Sequence, residues 1–395
     1  MAMTSTKRRW WFGVAVSVAA VSATVLTVAT SAAEETGDVA TTEGAFAVYM
    51  APKGEGGTDG NDGLTPETPV RSLPRVHEIL SEERPDADVE VRIKQGTYTS
   101  TPFHEWRFYV PGHSVSFMPI DYEPGDDAGD IAGLPTFRNA TCDGSYCPGV
   151  WLQPRLPQDK DDPLYNGGDS NLRFYYLKVE RYSNGGLSIF GNSERDWADE
   201  NYDPPLHIQP TKGLNNNVVF GMQFRNIGNK WTNGRWGYGG IVLTNSSNNR
   251  IVNSHFVNIE NTDHAGNIHG LYVTHHSSGN VIERNKFSYI SGYPVKFRNQ
   301  SNGNAVEENV IHRAGLISYY RGEFCDTACA VENNLPQQCA SWSNRFYYNR
   351  LQGNYAGKQP SLWSLGPEGL ENPGGKPCPA ADGKKRVATG GNIRE

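Results

Sequence analysis

Hydrophobic and polar residues recur in a fixed motif along the second half of the chain. Each copy begins with Asn, has an apolar residue two positions later and another apolar residue five positions after that. The copies start 32, 31, 24 and 40 residues apart, at Asn217, Asn249, Asn280, Asn304 and Asn344. Residues 171–176 extend the series upstream. Repeats of roughly 20 to 50 residues are typical of solenoids, so each copy predicts one coil of short β-strands.

The motif also predicts how the coils stack. Val, Ile, Phe and Leu would point inward from alternate strand positions, and coils about 4.8 Å apart would pair their backbones. Asn at each corner would bond to its own turn and stack on the Asn of the next coil. The last three copies carry a second Asn five residues after the first, and the second copy has Asn253 four residues after its own.

Other segments fill in the domain. Residues 89–98 predict the first full strand and turn. Residues 74–84 carry apolar residues at Val76, Ile79 and Leu80, a helical spacing that predicts a cap over the first coil. We expect a linker at 34–45, the solenoid at 46–365, and an irregular tail at 366–395 that Cys378 pins.

Composition and charge narrow the class of protein. The chain contains 43 Gly and 33 Asn, residues that favour turns over helices and strand interiors, which argues against helical bundles and doubly wound folds. Hydrophobic residues make up 37% and aromatic residues 11%, enough for a core. The net charge of -7 offers no basic field for nucleic acid.

The N-terminus predicts export. Lys7, Arg8 and Arg9 precede an apolar stretch at 10–29, and small residues at 30–33 suit cleavage before Glu34. A membrane anchor is the alternative, because about 20 residues can span a bilayer. The small and hydroxylated residues favour a signal peptide at 1–33 and a secreted, extracellular protein.

Six cysteines in an exported chain predict disulfides. Cys142 and Cys147 close a short loop and are expected to pair. The other four allow three connectivities, between which the sequence does not choose. They are Cys325, Cys329, Cys339 and Cys378.

A family resemblance begins near the predicted first strand. Phe46-Ala-Val-Tyr49, followed by the Gly- and Asp-rich segment from Gly57 to Leu73, resembles the opening of secreted, right-handed parallel β-helix proteins of the pectate-lyase-like kind. In that family a strand, a turn and a capping helix precede the coils. The resemblance implies an all-β, right-handed parallel β-helix and leaves the reaction open, because one fold hosts many chemistries.

Counting back from the corner Asn residues aligns the strands of one sheet. One outward column would hold Ile241, Tyr272 and Lys296, and a second would hold Leu243, Thr274 and Arg298. The next coil would stack Tyr319 on Lys296 and Arg321 on Arg298. These side chains would form one outer wall. A third column is expected to hold Asn245, His276, Gln300 and Glu323.

Stacked cations indicate an anionic ligand. Two arginines one coil apart, with Lys296 beside them, are unfavourable unless negative charge lies opposite. An acidic polysaccharide would supply it, and the cations would lower the pKa of Lys296 or of a nearby Tyr, as a general base requires. A solvated face with splayed side chains is the alternative. His269 and Tyr272 are the favoured pair for proton transfer, and His275 is expected to occupy a corner position in place of Asn.

Further residues suit binding. Trp231, Trp236 and Tyr238 precede the neighbouring coil and could stack on sugar rings, or simply pack their loop. The acidic segment 196–203 could bind calcium. Residues 59–63 could also bind calcium, although a turn before the helix is favoured.

These features predict a carbohydrate-active enzyme, foremost a polysaccharide lyase that cleaves a uronic-acid polymer by β-elimination. The chain resembles the chondroitinase and alginate-lyase branch of β-helix enzymes. That resemblance implies a Lys that acts as the base and an Arg one coil later. Lys296 and Arg321, which are 25 residues apart, match this spacing. A calcium carboxylate triplet is not evident near them. One alternative is a glycoside hydrolase, which needs two carboxylates, drawn from Glu323, Asp326, Glu260 and Asp263. The other is a carbohydrate-binding surface protein without catalysis.

Overall fold

A computed structural model describes residues 44–122, 133–139, 149–192, 211–315, 318–323, 338–357, 361–365, 378 and 383–395, without the side chains of Ser318 and Glu323. The predicted signal peptide, Cys142, Cys147, Cys325, Cys329, segment 196–203 and Asp326 lie outside these residues. Within them, no helix is long and apolar enough to cross a membrane.

Three long parallel sheets make up the fold, and successive coils contribute neighbouring strands to each. The ten-stranded sheet contains β1 (Phe46–Met50), β2 (Val89–Ile93), β5 (Val115–Pro119), β9 (Leu172–Tyr175), β13 (Val218–Phe220), β16 (Arg250–Val252), β19 (Val281–Glu283), β22 (Ala305–Glu307), β25 (Asn344–Tyr347) and β28 (Val387–Gly390). The nine-stranded sheet contains β3 (Thr97–Thr99), β6 (Thr136–Arg138), β10 (Lys178–Glu180), β14 (Gln223–Ile227), β17 (His255–Ile259), β20 (Lys286–Ile290), β23 (Val310–His312), β26 (Arg350–Gln352) and β29 (Ile393–Arg394).

The eight-stranded sheet carries the residues of the predicted outer wall. It contains β4 (Phe103–Trp106), β7 (Val150–Pro154), β11 (Gly185–Phe190), β15 (Gly239–Thr244), β18 (His269–Thr274), β21 (Tyr293–Arg298), β24 (Ser318–Glu323) and β27 (Ser361–Leu365). A short parallel pair joins β8 (Gly168–Asp169) to β12 (Leu214–Asn215). Parallel crossovers of this kind are right-handed. The chain is therefore a right-handed parallel β-helix, as predicted.

The core is a column of apolar side chains that point inward from the three long sheets. Phe224, Phe256 and Phe287 occupy the same position in three successive coils, and their rings stack at 5.2 and 4.8 Å. All three are fully buried. Because each ring contacts the ring one coil away, the core continues from coil to coil.

Asparagine ladders hold the corners. In the first ladder each Asn side chain except that of the last member donates through Nδ2 to Oδ1 of the Asn one coil later, at 2.7 to 3.0 Å. Its members are the five predicted corner residues Asn217, Asn249, Asn280, Asn304 and Asn344. A second ladder joins Asn285, Asn309, Asn349 and Asn392. In the coil before it the equivalent position is Ser254, whose N–H donates to Asn285 Oδ1.

The predicted capping helix is present as α1, Leu73–Glu83. Ser72 is its N-cap and accepts from the Arg75 N–H, while Asp59 Oδ1 accepts from the Ser72 N–H at 2.9 Å. The helix buries Leu73, Val76, Ile79 and Leu80. Asp59 therefore holds the turn before the helix, the favoured reading of segment 59–63. Two 3₁₀ turns, Lys53–Glu55 and Ala265–Asn267, are the other helical elements of the described residues.

The C-terminal segment is more regular than expected. Strand β28 pairs with β25, β29 pairs with β26, and Asn392 continues the second ladder. The solenoid thus continues beyond residue 365. A disulfide joins Cys339 to Cys378, which selects one of the three open connectivities and pins the tail as predicted.

Candidate active site

The strand register corrects the predicted outer wall. The first outward column is Val242, Tyr272, Lys296, Arg321 and Ser364. The second is Thr244, Thr274, Arg298 and the backbone of Glu323. Tyr272 with Lys296 and Thr274 with Arg298 were aligned correctly. Ile241 and Leu243 point into the core instead, and Arg321 lies beside Lys296 rather than Arg298.

Corner lengths explain both errors. Thr244 precedes its corner Asn by five residues, whereas Thr274 and Arg298 precede theirs by six. The extra residues are His276 and Gln300, which are left-handed with φ of 62° and 55°. In the earlier coil Asn245 leads directly to Ser246, whose N–H donates to Ser277 Oγ. The connection from β23 to β24 is also longer than the one from β20 to β21. When one corner is a residue longer than the next, counting back the same number of residues from each corner Asn reaches different strand positions. The predicted columns are therefore shifted by one residue.

Tyr319 is not a wall residue. It is only 2% exposed, and its hydroxyl donates to the Gly353 carbonyl at 2.9 Å. Burial raises the pKa of this phenol. Tyr319 therefore has a packing role. The predicted place of Tyr319 on the outer wall, beside Lys296, is wrong.

Lys296 and Arg321 lie side by side above a tyrosine ring. Lys296 Nζ is 5.7 Å from the ring centroid of Tyr293, and Arg321 Cζ is 5.5 Å from the same centroid. Lys296 Nζ is also 5.4 Å from the ring of Tyr272, and Arg321 Nη1 donates to Ser364 Oγ at 3.1 Å. Like charges on adjacent strands repel each other, and the pair that the register brings together is Lys296 and Arg321 instead of the predicted Arg298 and Arg321. The anionic ligand stays a prediction.

The hydroxyl of Tyr272 receives a hydrogen bond from a cation. Arg298 Nη1 donates to it at 3.2 Å, and Arg298 Nε donates to Gln338 Oε1 at 2.6 Å. Burial acts to raise the pKa of Tyr272, but the charges of Arg298 and Lys296 and hydrogen bonds from Arg298 and Thr274 outweigh it and lower the pKa. Tyr272 is thus prepared to give up its proton. We name Tyr272, Lys296, Arg298 and Arg321 the cationic cluster.

His269 lies beneath this cluster and is only 1% exposed. Its ring stacks on Tyr293 at 5.2 Å and meets the Tyr272 ring edgewise at 5.0 Å. Burial first, then the charges of Lys296, Arg298 and Arg321, lower its pKa well below the usual value. The structure brings His269 and Tyr272 together as expected, and it buries the His269 ring behind that of Tyr272.

The third column is a row of corner residues. Asn245, His275 and Asn299 share a left-handed backbone, with φ of 47°, 54° and 48°, so His275 does replace Asn at a corner. His276 and Gln300 follow and align through the bond from the His276 N–H to the Asn299 carbonyl. Asn245 is therefore one position earlier than predicted. Glu323 belongs to the column of Arg298.

The predicted aromatic loop divides into two parts. Trp236 meets Tyr238 edgewise at 5.0 Å and His264 at 5.2 Å. Trp231 instead lies under Lys230, whose Nζ is 5.2 Å from the ring and 2.7 Å from Glu260 Oε1. We name Trp236, Tyr238 and His264 the aromatic platform, and Trp231 is not part of it.

Carboxylates and metal ligands are sparse at the wall. Glu260 is 2% exposed and binds Lys230 and the Tyr355 hydroxyl, and Asp263 is on an exposed turn. Among the described residues, no group of three His, Cys, Asp or Glu side chains could hold a metal ion.

Three contacts of the cluster were missed from the sequence. Tyr293 could have been found, because it precedes Lys296 by three residues just as His269 precedes Tyr272. Gln338 and Ser364 reach Arg298 and Arg321 from 40 and 43 residues away along the chain. No local pattern marks them.

No protein-family model and no curated protein matches the sequence. Similar solved structures include a rhamnogalacturonan lyase, at 14% identity and a TM-score of 0.42, covering 83% of this chain and 89% of that chain. An alginate lyase from Paenibacillus sp. str. FPU-7 has 14% identity and a TM-score of 0.39, covering 82% and 93%. Pectate lyase Pel9A has 12% identity and a TM-score of 0.41, covering 88% and 78%. At these identities the likeness concerns the β-helical fold alone.

Proposed function

We propose that this protein is a polysaccharide lyase that cleaves a uronic-acid polymer by β-elimination, and that it acts outside the cell. The observation that carries the proposal is the cationic cluster: Lys296 and Arg321 side by side, next to a tyrosine whose pKa the cluster lowers. Export is supported by the N-terminal sequence alone. Cations arranged in this way fit a carboxylate-bearing sugar.

Each step of the elimination has a group on the wall. Arg321 would bind the uronate carboxylate, which draws charge from the adjacent C5 atom and acidifies its proton. The Tyr272 phenolate would take that proton, and the electron pair of the C5–H bond would form a C4=C5 double bond as the C4–O bond breaks. Lys296 would then donate a proton to the departing oxygen.

Arg298 supports this assignment through Tyr272. Its guanidinium donates to the phenol oxygen and is itself held by Gln338, so the phenolate is stabilised in a fixed orientation. The resemblance to chondroitinase-like enzymes instead gives the base role to Lys296. The two assignments differ in which residue controls the acidic limb of the pH–rate profile.

Ultraviolet absorbance tests the reaction directly, because β-elimination creates an unsaturated product. The protein would be incubated with a panel of uronate polymers, and Lys296→Ala, Arg321→Ala and Tyr272→Phe would be compared with it. We expect each variant to lose about 10²- to 10⁴-fold in kcat, the range of general acid–base catalysis.

Two exposed cations of the nine-stranded sheet provide matched controls, Lys286→Ala and Arg350→Ala. These should retain wild-type turnover and thermal stability. Release of reducing ends from a neutral glycan without unsaturated product would contradict the lyase and favour the glycoside hydrolase.

A further inference from the structure

We infer that the aromatic platform is a subsite for a sugar ring of the same polysaccharide, away from the bond that is cleaved. This inference rests on the proposed function and adds where the substrate lies. The platform presents Tyr238, which is 44% exposed, with Trp236 and His264 beside it. Its chemistry differs from the cationic cluster: an apolar surface edged by polar atoms, suited to the C–H face of a sugar ring.

The backbone under the platform is held in place. Asn261, which is buried, receives a hydrogen bond from the Gly237 N–H at 2.9 Å and donates to the Gly237 carbonyl at 3.0 Å. The Tyr238 N–H donates to the Asn184 carbonyl, and the Tyr238 carbonyl accepts from the His269 N–H. A Cβ atom at position 237 would lie 2.3 Å from the Ser183 carbonyl oxygen, so only glycine fits. The rings are therefore presented before a ligand arrives, which lowers the entropy lost on binding.

The platform adjoins the cationic cluster through the strand register. Tyr238 immediately precedes β15, whose first residue, Gly239, pairs with His269; His269 in turn pairs with Tyr293 at the start of β21. Two coils, about 10 Å along the solenoid axis, thus separate Tyr238 from the strand of Lys296. A polymer bound at the cationic cluster can continue obliquely across β18 to reach the platform.

This arrangement predicts that affinity depends on substrate length. A short uronate oligosaccharide that contacts only the cationic cluster does not reach Tyr238, so this ring adds nothing to its binding affinity. A longer one gains the ring contact in both ground state and transition state, which lowers KM and leaves kcat unchanged.

Steady-state kinetics on uronate oligosaccharides of increasing length test the inference. For wild type we expect kcat/KM to step upward once the chain reaches the platform. Tyr238→Ala should remove that step by raising KM for long oligosaccharides about three- to tenfold. Tyr238→Phe should retain the step, because the ring remains. Trp236→Ala, which removes the support of Tyr238, should reduce it.

The matched control is Tyr348→Ala, which removes a tyrosine that is 62% exposed just after β25 on the ten-stranded sheet. If wild type cleaves uronate polymers and Tyr238→Ala shows the same length dependence as Tyr348→Ala, the subsite is wrong and the proposed function stands. If wild type cleaves no uronate polymer, the proposed function itself fails.

Discussion

A tyrosine can accept a proton near neutral pH only if its surroundings stabilise the phenolate. At Tyr272 that stabilisation comes from Arg298, which donates to the phenol oxygen, and from Lys296 above the ring. His269 behind the ring stays neutral, so it adds no further positive charge. The reactivity of this one residue therefore depends on cations from the next coil.

Removing Arg298 should move the pH dependence of the reaction. Arg298 lowers the pKa of Tyr272, so Arg298→Gln should raise it, and the acidic limb of kcat/KM should shift to higher pH if Tyr272 must be ionised. The measurement is kcat/KM against pH, with Arg350→Gln as a remote arginine control. An unshifted limb in a folded Arg298→Gln protein would assign the base to another residue.

His269 should make stability depend on pH. Its pKa in the folded protein is below the unfolded value of about 6.5, so below that pH the unfolded chain binds a proton that the folded chain does not. Stability should therefore fall with falling pH, by about 1.4 kcal/mol per pH unit from this group while it stays neutral in the fold. Urea unfolding at several pH values should show a shallower dependence for His269→Asn.

At the scale of the element, the corner is the unit that fixes each coil. The side chain of Asn280 accepts from both the backbone and the side chain of Asn249 and donates to Asn304. All three residues are buried, so water does not replace a lost partner. The ladder thus provides hydrogen-bond partners for buried N–H groups of the corner that have no partner within their own turn.

Asn280→Ala should lower the free energy of unfolding substantially. Two buried donors of Asn249 would lose their acceptor, at a cost of about 1–3 kcal/mol each. Urea denaturation measures the loss, and Asn233→Ala, at an exposed loop position, is the control. A change below that of the control would show that the ladder is not important for stability.

Corners also decide how far the sequence predicts the site. Tyr272 and Lys296 were aligned correctly because their coils have corners of equal length. Arg321 was misplaced because the connection before β24 is longer, and nothing in the hydrophobic pattern records that length. The fold follows from repeated inward residues and corner Asn, whereas the site depends on register, which a single extra corner residue changes.

At the scale of the whole molecule, the C-terminal segment both completes the solenoid and reaches toward the site. The disulfide from Cys378 ends on Cys339, whose carbonyl accepts from the Gln300 N–H. Its chain neighbour Gln338 holds Arg298. The tail is thus connected to the hydroxyl of Tyr272 through the disulfide and the side chains of Gln338 and Arg298.

The double variant Cys339→Ser/Cys378→Ser should lose both stability and activity. Removing the cross-link should cost about 2–4 kcal/mol in unfolding free energy. We also expect a lower kcat, because Gln338 would be less well fixed, and a Gln338→Ala variant should reproduce the loss of kcat with little loss of stability. Full activity in the double variant would mean that the disulfide does not position Arg298.

The ladders have a direction. The first four Asn of the first ladder donate, from both backbone and side chain, to the Asn one coil later, and the second ladder runs the same way. A newly closed coil therefore presents a pair of N–H donors to the chain that has yet to arrive, and each arriving Asn brings the acceptor that satisfies them. We expect the coils to fold one after another, from the end covered by α1 toward the C-terminus. This is the order in which a ribosome makes the chain.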